Sequence, residues 1–330
     1  MLIKEAVFTK ELNIVIPDAK TITNGDVSFD CFRDFGHVTQ YPLSGEDLFA
    51  ARVENADIVL CNKTPMNEKT LENAKNLRYI GLFATGYNNI DIDYTNSRGI
   101  TVCNAGGYST DAVAQHTFAL ILAHCSRVGE YDSFVQSGGW KNADVFSPFV
   151  FDMYELAGKT IGIIGLGTIG SAVAKIALAF GMKVLYASRS EKNMAGVRRV
   201  SVEELVSQSD FVTVHCPLNS ESARMFDKKM FSQFKKGAYF INTSRGGTVD
   251  EAALKWAAES GILSGAAVDV LDTEPMAKDC VLFGVENIVI TPHIAWAPQE
   301  TRQRCVDMVY DNLRAFLNGK PQNVVGESFV

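Results

Sequence analysis

Three charged side chains stand where an apolar strand-like run gives way to a turn: Arg245 in INTSRGG, Glu274 in DVLDTEP and His293 in ITPHIAW. A planar guanidinium binds a carboxylate through two parallel hydrogen bonds and polarises a neighbouring carbonyl oxygen, which a lysine ammonium does poorly. An imidazole supplies the proton that such an oxygen takes up when hydride arrives at its carbon. A carboxylate bonded to that imidazole favours the protonated ring and fixes its orientation. Taken singly, each residue has a plainer reading: a surface ion pair for Arg245, a turn acid before Pro275 for Glu274, a structural histidine for His293. Three of them at strand ends, the ligand-binding edge of open α/β sheets, favour chemistry. His37, His116, His124 and His215 are read as structural, with the His215 backbone lining a cofactor site at its strand end.

The cofactor is announced by GLGTIG at residues 165 to 170, preceded by the apolar run TIGII and followed by a helical stripe of Ile169, Val173, Ile176 and Phe180. Alone, glycines at this spacing are a weak signal, since the chain has 26 of them. Between a strand and a helix the pattern has a mechanism. Gly165 permits the tight turn, Gly167 lets the backbone amides of Leu166, Thr168 and Ile169 approach a pyrophosphate, and Gly170 lets helix pack on strand. An acid about 20 residues on usually binds the ribose of NAD, but here the second strand ends Ala187, Ser188, Arg189, Ser190. A carboxylate repels a 2′-phosphate, whereas a hydroxyl and a guanidinium bind it, so the sequence predicts that NADPH is accepted. The alternative is a solvated loop with Glu191 or backbone groups serving NAD.

These turns need strands behind them. From Leu12 to Cys103, β-rich runs at Asn13 to Ile16, His37 to Tyr41, Asp57 to Leu60, Tyr79 to Leu82 and Ile100 to Cys103 alternate with helix-like stretches. A second alternation from Lys159 predicts six strands: Thr160 to Ile164, Lys183 to Ala187, Phe211 to Val214, Ala238 to Asn242, Gly265 to Val270 and Ile288 to Ile290. The fold class is therefore α/β with two doubly wound, mostly parallel sheets. Between them STDAVAQHTFALILAHCSR predicts a helix, capped by Ser109 or Thr110, that is apolar nearly all round and so must be covered on every side. Packing between domains or in a dimer would cover it. After Trp296 a last helix starts with Pro298 in its first turn, presents Cys305, Met308, Val309, Leu313 and Phe316 on one face, and stops near Gly319.

Composition bounds the partners. The chain has 330 residues, 47% of them hydrophobic, enough for two cores. Its formal charge of −7 with no basic run gives no footprint for nucleic acid or an anionic membrane. Seven cysteines with no CxxC pair suit reduced thiols rather than disulfides or a metal site, and predict a cytoplasmic protein. The sequence shows neither a signal peptide nor an apolar run of the roughly 20 residues a membrane span needs.

The ordered set GLGTIG, HCPLN, INTSRGG, GAAVDVLDTEP and TPHIAWAP resembles the D-isomer-specific 2-hydroxyacid dehydrogenases over nearly the whole chain. The resemblance implies Arg245 as substrate clamp, His293 as proton donor and acceptor, and Glu274 as its partner. It implies a flavodoxin-like substrate domain of residues 1–104 and 297–330, with a Rossmann NAD(P)-binding domain of residues 105–296 inserted in it, and a homodimer. LFATGYNNIDI and NAGGYSTDAVAQHTFALIL look like the glycerate dehydrogenase and hydroxypyruvate reductase branch. Backbone amides around Ala84, Thr85 and Gly86 are then expected on the substrate carboxylate, and Asp269 on the nicotinamide carboxamide with Thr243 backbone groups nearby.

Two departures bear on this. That branch often has proline where Gly106 stands, and many relatives have an acid where Ser188 stands. Glu274 argues against a formate dehydrogenase and Thr85 against a phosphite dehydrogenase. The expected reaction is NAD(P)H-dependent reduction of hydroxypyruvate or glyoxylate to D-glycerate or glycolate. Another D-2-hydroxyacid dehydrogenase, acting on D-lactate or phosphoglycerate, and a dehydrogenase-like NAD(H)-sensing corepressor are the alternatives. Selectivity among keto acids is expected to depend on Tyr87, Trp140 or Trp296.

Overall fold

The computed structural model describes residues 11–326, which divide into two compact α/β units. One comprises the chain up to Ser109 together with the residues from Ala297, and the other runs from Thr110 to Trp296.

The first unit carries β1 (Leu12–Ile16), β2 (Gly36–Gln40), α1 (Glu46–Val53), β3 (Ile58–Cys61), α2 (Glu68–Leu71), β4 (Tyr79–Leu82), α3 (Ile92–Ser97) and β5 (Thr101–Cys103). Its five strands pair in parallel in the order β2-β1-β3-β4-β5, the flavodoxin-like winding. β3 and β4 are buried along their whole length because helices cover both faces, which is why they read as unbroken apolar runs.

The second unit contributes α4 (Thr110–Ser126), α5 (Val128–Gln136), β6 (Thr160–Ile164), α6 (Thr168–Ala179), β7 (Lys183–Ala187), β8 (Val197–Arg199), α7 (Val202–Gln208) and β9 (Phe211–Val214). It continues with α8 (Lys228–Phe231), β10 (Ala238–Asn242), α9 (Glu251–Glu259), β11 (Leu263–Val268) and β12 (Ile288–Ile290). All pairings are parallel, in the order β12-β11-β10-β9-β6-β7-β8. This is the dinucleotide-binding order with one strand added, and its winding reverses between β6 and β9. Ligand crevices in open α/β sheets open at the carboxyl end of such a switch point.

α10 (Gln299–Leu317) returns to the first unit, where Cys305, Val306, Val309 and Leu313 are buried and the Phe316 ring packs at a tilt against Tyr79 of β4. Its start is fixed by Arg302, whose fork binds both oxygens of Asp26 at 2.7 and 2.6 Å.

Three expectations change. The second sheet has seven strands rather than six, because β8 is a three-residue edge strand with two exposed arginines and carries no apolar signature. β11 runs from Leu263 to Val268, two residues earlier than its glycine suggests. Pro298 is the residue before the first turn of α10, in extended geometry, rather than inside it. On α4, Asp111, Gln115, Ala119 and Ala123 recur every fourth residue as a stripe left exposed within the single chain. Two of these are alanines, which read as apolar yet offer little surface to bury.

Candidate active site

The glycine turn joins β6 to α6, and each glycine answers to a distinct backbone demand. Gly165 has φ of 93°, and a Cβ there would lie 2.8 Å from the His215 carbonyl and the Cys216 amide at the end of β9. A Cβ on Gly170 would lie 2.1 Å from the Gly165 carbonyl oxygen, so helix and turn pack too closely for any side chain. A Cβ on Gly167 would meet nothing within 4 Å. The closed positions therefore hold the turn, while the open one lies at the N-terminus of a twelve-residue helix whose first amides lack intrahelical acceptors. That opening suits a pyrophosphate, and the residues from Gly165 to Gly170 fit a dinucleotide.

At the end of β7 the Ser188 hydroxyl donates to the Ser190 carbonyl at 2.5 Å. Arg199, from the unanticipated strand β8, donates to the carbonyls of Ser188 and Arg189 at 2.8 and 2.9 Å. The corner thus holds an exposed Arg189 and a second guanidinium, and Ser188 and Ser190 stand where an acid would bind ribose. On the other side of the switch point, His215 Nε2 lies 2.9 Å from the Thr213 hydroxyl, and burial pushes this imidazole down to about 3. The ring is neutral and structural, as expected, while its backbone abuts the glycine turn.

The three charged residues occupy three loops of this same sheet edge. Asn242, the last residue of β10, builds the first loop: its Oδ1 accepts from the Ser244 amide and hydroxyl, and its Nδ2 donates to the Arg245 carbonyl at 3.0 Å. Arg245 follows in extended geometry, with Nη1 donating to the Ser244 carbonyl. Gly246 then passes the second loop so closely that a Cβ would lie 1.9 Å from the Leu271 carbonyl carbon, so only glycine fits.

That second loop carries Glu274. Its Oε1 accepts from the Leu271 amide at 3.0 Å, and its Oε2 lies 2.7 Å from His293 Nδ1. The Glu274–Pro275 peptide is cis. Glu251 at the start of α9 accepts from the Asp272 amide at 2.8 Å, and Arg224 pairs with the Asp272 carboxylate. With Nδ1 facing a carboxylate, His293 keeps Nε2 as the nitrogen able to exchange a proton with substrate.

His293 has φ of 54°, a left-handed conformation that costs a β-carbon-bearing residue about 1 kcal/mol or more. Asp269 holds it there. The Asp269 carbonyl accepts the His293 amide at 2.8 Å. The Asp269 carboxylate accepts the Thr291 hydroxyl at 2.5 Å and the Ile294 and Ala295 amides at 2.9 and 2.8 Å. Asp269 is 1% exposed, and both its oxygens take part in the turn that presents His293.

In the first unit, the loop after β4 that contains Ala84, Thr85 and Gly86 is pinned to the segment after β5. Thr85 donates to the Ala105 carbonyl at 2.7 Å, Asn104 donates to the Thr85 carbonyl at 2.7 Å, and the Ala105 amide donates to the Ala84 carbonyl at 2.9 Å. Gly106 adjoins this contact and is exposed.

A family model described as D-isomer specific 2-hydroxyacid dehydrogenase, NAD binding domain, matches residues 118–295. The chain belongs to the D-isomer specific 2-hydroxyacid dehydrogenases. As a member of that family it is an NAD(P)-linked enzyme of the α/β class with two parallel sheets, in agreement with the resemblance read from its motifs. It is 39% identical to a hydroxypyruvate reductase of Blautia hydrogenotrophica over 96% of this chain and 100% of the relative. It is 43% identical to a glyoxylate reductase of Thermococcus litoralis over 79% of this chain and 81% of the relative. Among solved structures it is similar to the TT0316 protein from Thermus thermophilus, with a TM-score of 0.85 and 34% identity over 95% of this chain and 100% of that one.

Residues of this dehydrogenase that the sequence did not single out are Asn242, Gly246, Leu271 and Thr291. Each takes part in a loop that presents a charged residue. The detectable signal was the neighbourhood: all four lie within three positions of Arg245, Glu274 or His293.

Proposed function

We propose that the chain reduces a small 2-keto acid, hydroxypyruvate or glyoxylate, to D-glycerate or glycolate. The observation that carries the mechanism is the 2.7 Å contact between Glu274 and His293 Nδ1 at the sheet edge that also bears Arg245. The names of the related hydroxypyruvate and glyoxylate reductases support the substrate class.

In this reading the unit from Thr110 to Trp296 holds the nucleotide. The amides of Leu166, Gly167, Thr168 and Ile169, in the turn from Gly165 to Gly170, would hold the pyrophosphate. Ser188 and Arg189 would bind the ribose 2′-phosphate of NADPH, favouring it over NADH. The backbones of His215 and Thr243 line the remainder. The nicotinamide, when bound, supplies the hydride that the substrate carbon accepts.

Arg245 grips the substrate carboxylate and draws charge onto the carbonyl oxygen, with the amides of Ala84, Thr85 and Gly86 contributing to the carboxylate site. His293 Nε2 delivers the proton as that oxygen becomes an alkoxide, and Glu274 stabilises the charged ring and keeps Nε2 aimed. In the oxidative direction the neutral ring removes the same proton.

The assembly is a homodimer in the cytoplasm. Val128, Trp140, Val145, Phe146, Phe149 and Met153 are exposed, the two phenylalanines to 89% and 92%, and such side chains are suited to burial against a second subunit. The seven cysteines form no disulfide, as suits a reducing compartment. No helix among the described residues is long and apolar enough to cross a membrane.

The deciding assay is a panel of 2-keto acids with NADPH and with NADH, beside the native mass in solution. Turnover of hydroxypyruvate or glyoxylate above pyruvate supports the reading. Absence of turnover on every keto acid, despite dinucleotide binding, overturns it.

A further inference from the structure

Two adjacent side chains of α4 reach the loops that carry the reacting groups. Thr117 Oγ1 lies 3.1 Å from Thr243 Oγ1, and Thr243 is two residues before Arg245. His116 Nε2 lies 3.1 Å from Thr291 Oγ1, and Thr291 is two residues before His293. β10 and β12, which these threonines follow, are separated in the sheet by β11. Their ends are therefore about 10 Å apart, twice the strand spacing. Consecutive residues on a helix diverge by about 100° around its axis, so a dipeptide can span that gap where a single side chain cannot.

The donors in this arrangement are determined. The Thr117 hydroxyl gives its hydrogen to the Val113 carbonyl at 2.8 Å, so its oxygen accepts from Thr243. The Thr291 hydroxyl gives its hydrogen to Asp269 at 2.5 Å, so its oxygen accepts from His116, whose Nε2 carries a proton. His116 Nε2 also lies 3.5 Å from the Asp269 carboxylate, which is the group fixing the left-handed turn at His293. Thr117 is fully buried, Thr243 and Asp269 nearly so, and the His116 side chain is 19% exposed. Within a dry contact, the direction of each hydrogen bond is enforced by the cost of leaving a donor unpaired.

We propose that His116 and Thr117 are positioning residues, a two-residue clamp on α4 that sets the loop of His293 through Thr291 and Asp269 and the loop of Arg245 through Thr243. The proposal rests on Arg245 and His293 being the reacting groups. It replaces the reading of His116 as a structural histidine with one in which its ring fixes the site. Because the two arms end on different groups, they have separable effects. The His116 arm governs proton delivery and so kcat, while the Thr117 arm governs the carboxylate clamp and so substrate KM.

The test uses the full-length enzyme, hydroxypyruvate and NADPH, with His116→Leu and Thr117→Val beside His116→Gln and Thr117→Ser. His116→Leu is expected to lower kcat about tenfold or more with substrate KM within about twofold, and Thr117→Val to raise substrate KM about tenfold with a smaller fall in kcat. His116→Gln, which can place an amide N–H where Nε2 stood, and Thr117→Ser, which keeps the hydroxyl, are expected to recover most of each loss. In the unliganded protein the His293 Nδ1 proton is expected to give a resolved NMR signal in the wild type and in Thr117→Val, and to broaden in His116→Leu.

Unchanged kinetics in both apolar variants overturn the proposal, as does an equal loss of kcat and KM in both that follows their melting temperatures. If the apolar variants do not fold, His116→Asn and Thr117→Ala carry the same expectations, since asparagine is too short to reach Thr291. His293→Gln and Arg245→Ala keep the two failures apart. If those are inactive while the clamp variants behave as wild type, only the clamp falls, whereas active His293→Gln overturns the assignment beneath it.

Discussion

Glu274 binds two partners with its two oxygens, the amide of Leu271 in its own loop and Nδ1 of His293 nineteen residues on. The first bond fixes the carboxylate, and the fixed carboxylate then fixes the imidazole. Glu274→Gln keeps the shape and removes the charge that favours the protonated ring. The protonated ring is the proton donor in keto-acid reduction, so Glu274→Gln is expected to lower kcat by about tenfold or more with substrate KM little changed. Steady-state kinetics check it, and wild-type kcat in Glu274→Gln removes the carboxylate from proton transfer. His293→Gln itself is expected to lower kcat by about 10² to 10⁴ with cofactor affinity retained.

Arg245 is offered by a loop in which Asn242 and Gly246 leave little freedom. Arg245→Ala is expected to cut kcat/KM for the keto acid by about 10² to 10³, with both kcat and KM affected. Arg245→Lys restores little of it, because an ammonium cannot make the two parallel bonds. Steady-state kinetics with saturating cofactor separate the two parameters, and wild-type turnover in Arg245→Ala would defeat the clamp.

What the sequence disclosed and what it hid divide along sequence separation. The buried strands were readable because a strand covered on both faces is dominated by residues such as Val, Ile, Leu and Phe, as IVLC and FVTV are. Arg245, Glu274 and His293 stood out because a charged residue at the end of such a run has few structural reasons to be there. β8 escaped notice, since an exposed edge strand needs no apolar pattern. The purpose of His116 and Thr117 was invisible for a different reason. Their partners lie 175 and 126 residues away, and nothing local in QHTFAL distinguishes a ring that holds Thr291 from one that fills space. Asp269 shows the converse: its place at a strand end was legible, but the burial of both its oxygens depends on the turn from Thr291 to Ala295 folding over it.

The Ser188 corner makes a prediction about cofactor choice. Ser188→Asp puts a carboxylate where a 2′-phosphate would lie and where a ribose diol could be bound instead. The NADPH-to-NADH ratio of kcat/KM is expected to fall at least about tenfold, equivalent to about 1.4 kcal/mol. Calorimetry with 2′,5′-ADP and 5′-AMP provides the same comparison without turnover. A wild-type enzyme that strongly prefers NADH would end the NADPH assignment.

Two neutral histidines predict how stability depends on acid. Burial pushes His124 down to about 4 and His215 to about 3, and His124 is stacked 3.9 Å from the Tyr239 ring. Both folded values lie below the ordinary 6.5, so the unfolded chain takes up protons first as pH falls. The stabilisation is complete above about pH 6.5 and is lost as pH falls toward 4, at up to about 1.4 kcal/mol per pH unit for each ring. Asp26, held down to about 2 by Arg302, loses its contribution as pH falls from the ordinary carboxylate value of 3.8 to about 2. Histidine protonation should therefore dominate between about pH 6.5 and about pH 4.5. The melting temperature is expected to drop steeply across that interval, and His124→Phe, which keeps an aromatic ring against Tyr239 but cannot titrate, should make the drop shallower. Parallel melting curves across the interval for wild type and variant decide the matter, and identical slopes would mean that His124 is not protonated on unfolding.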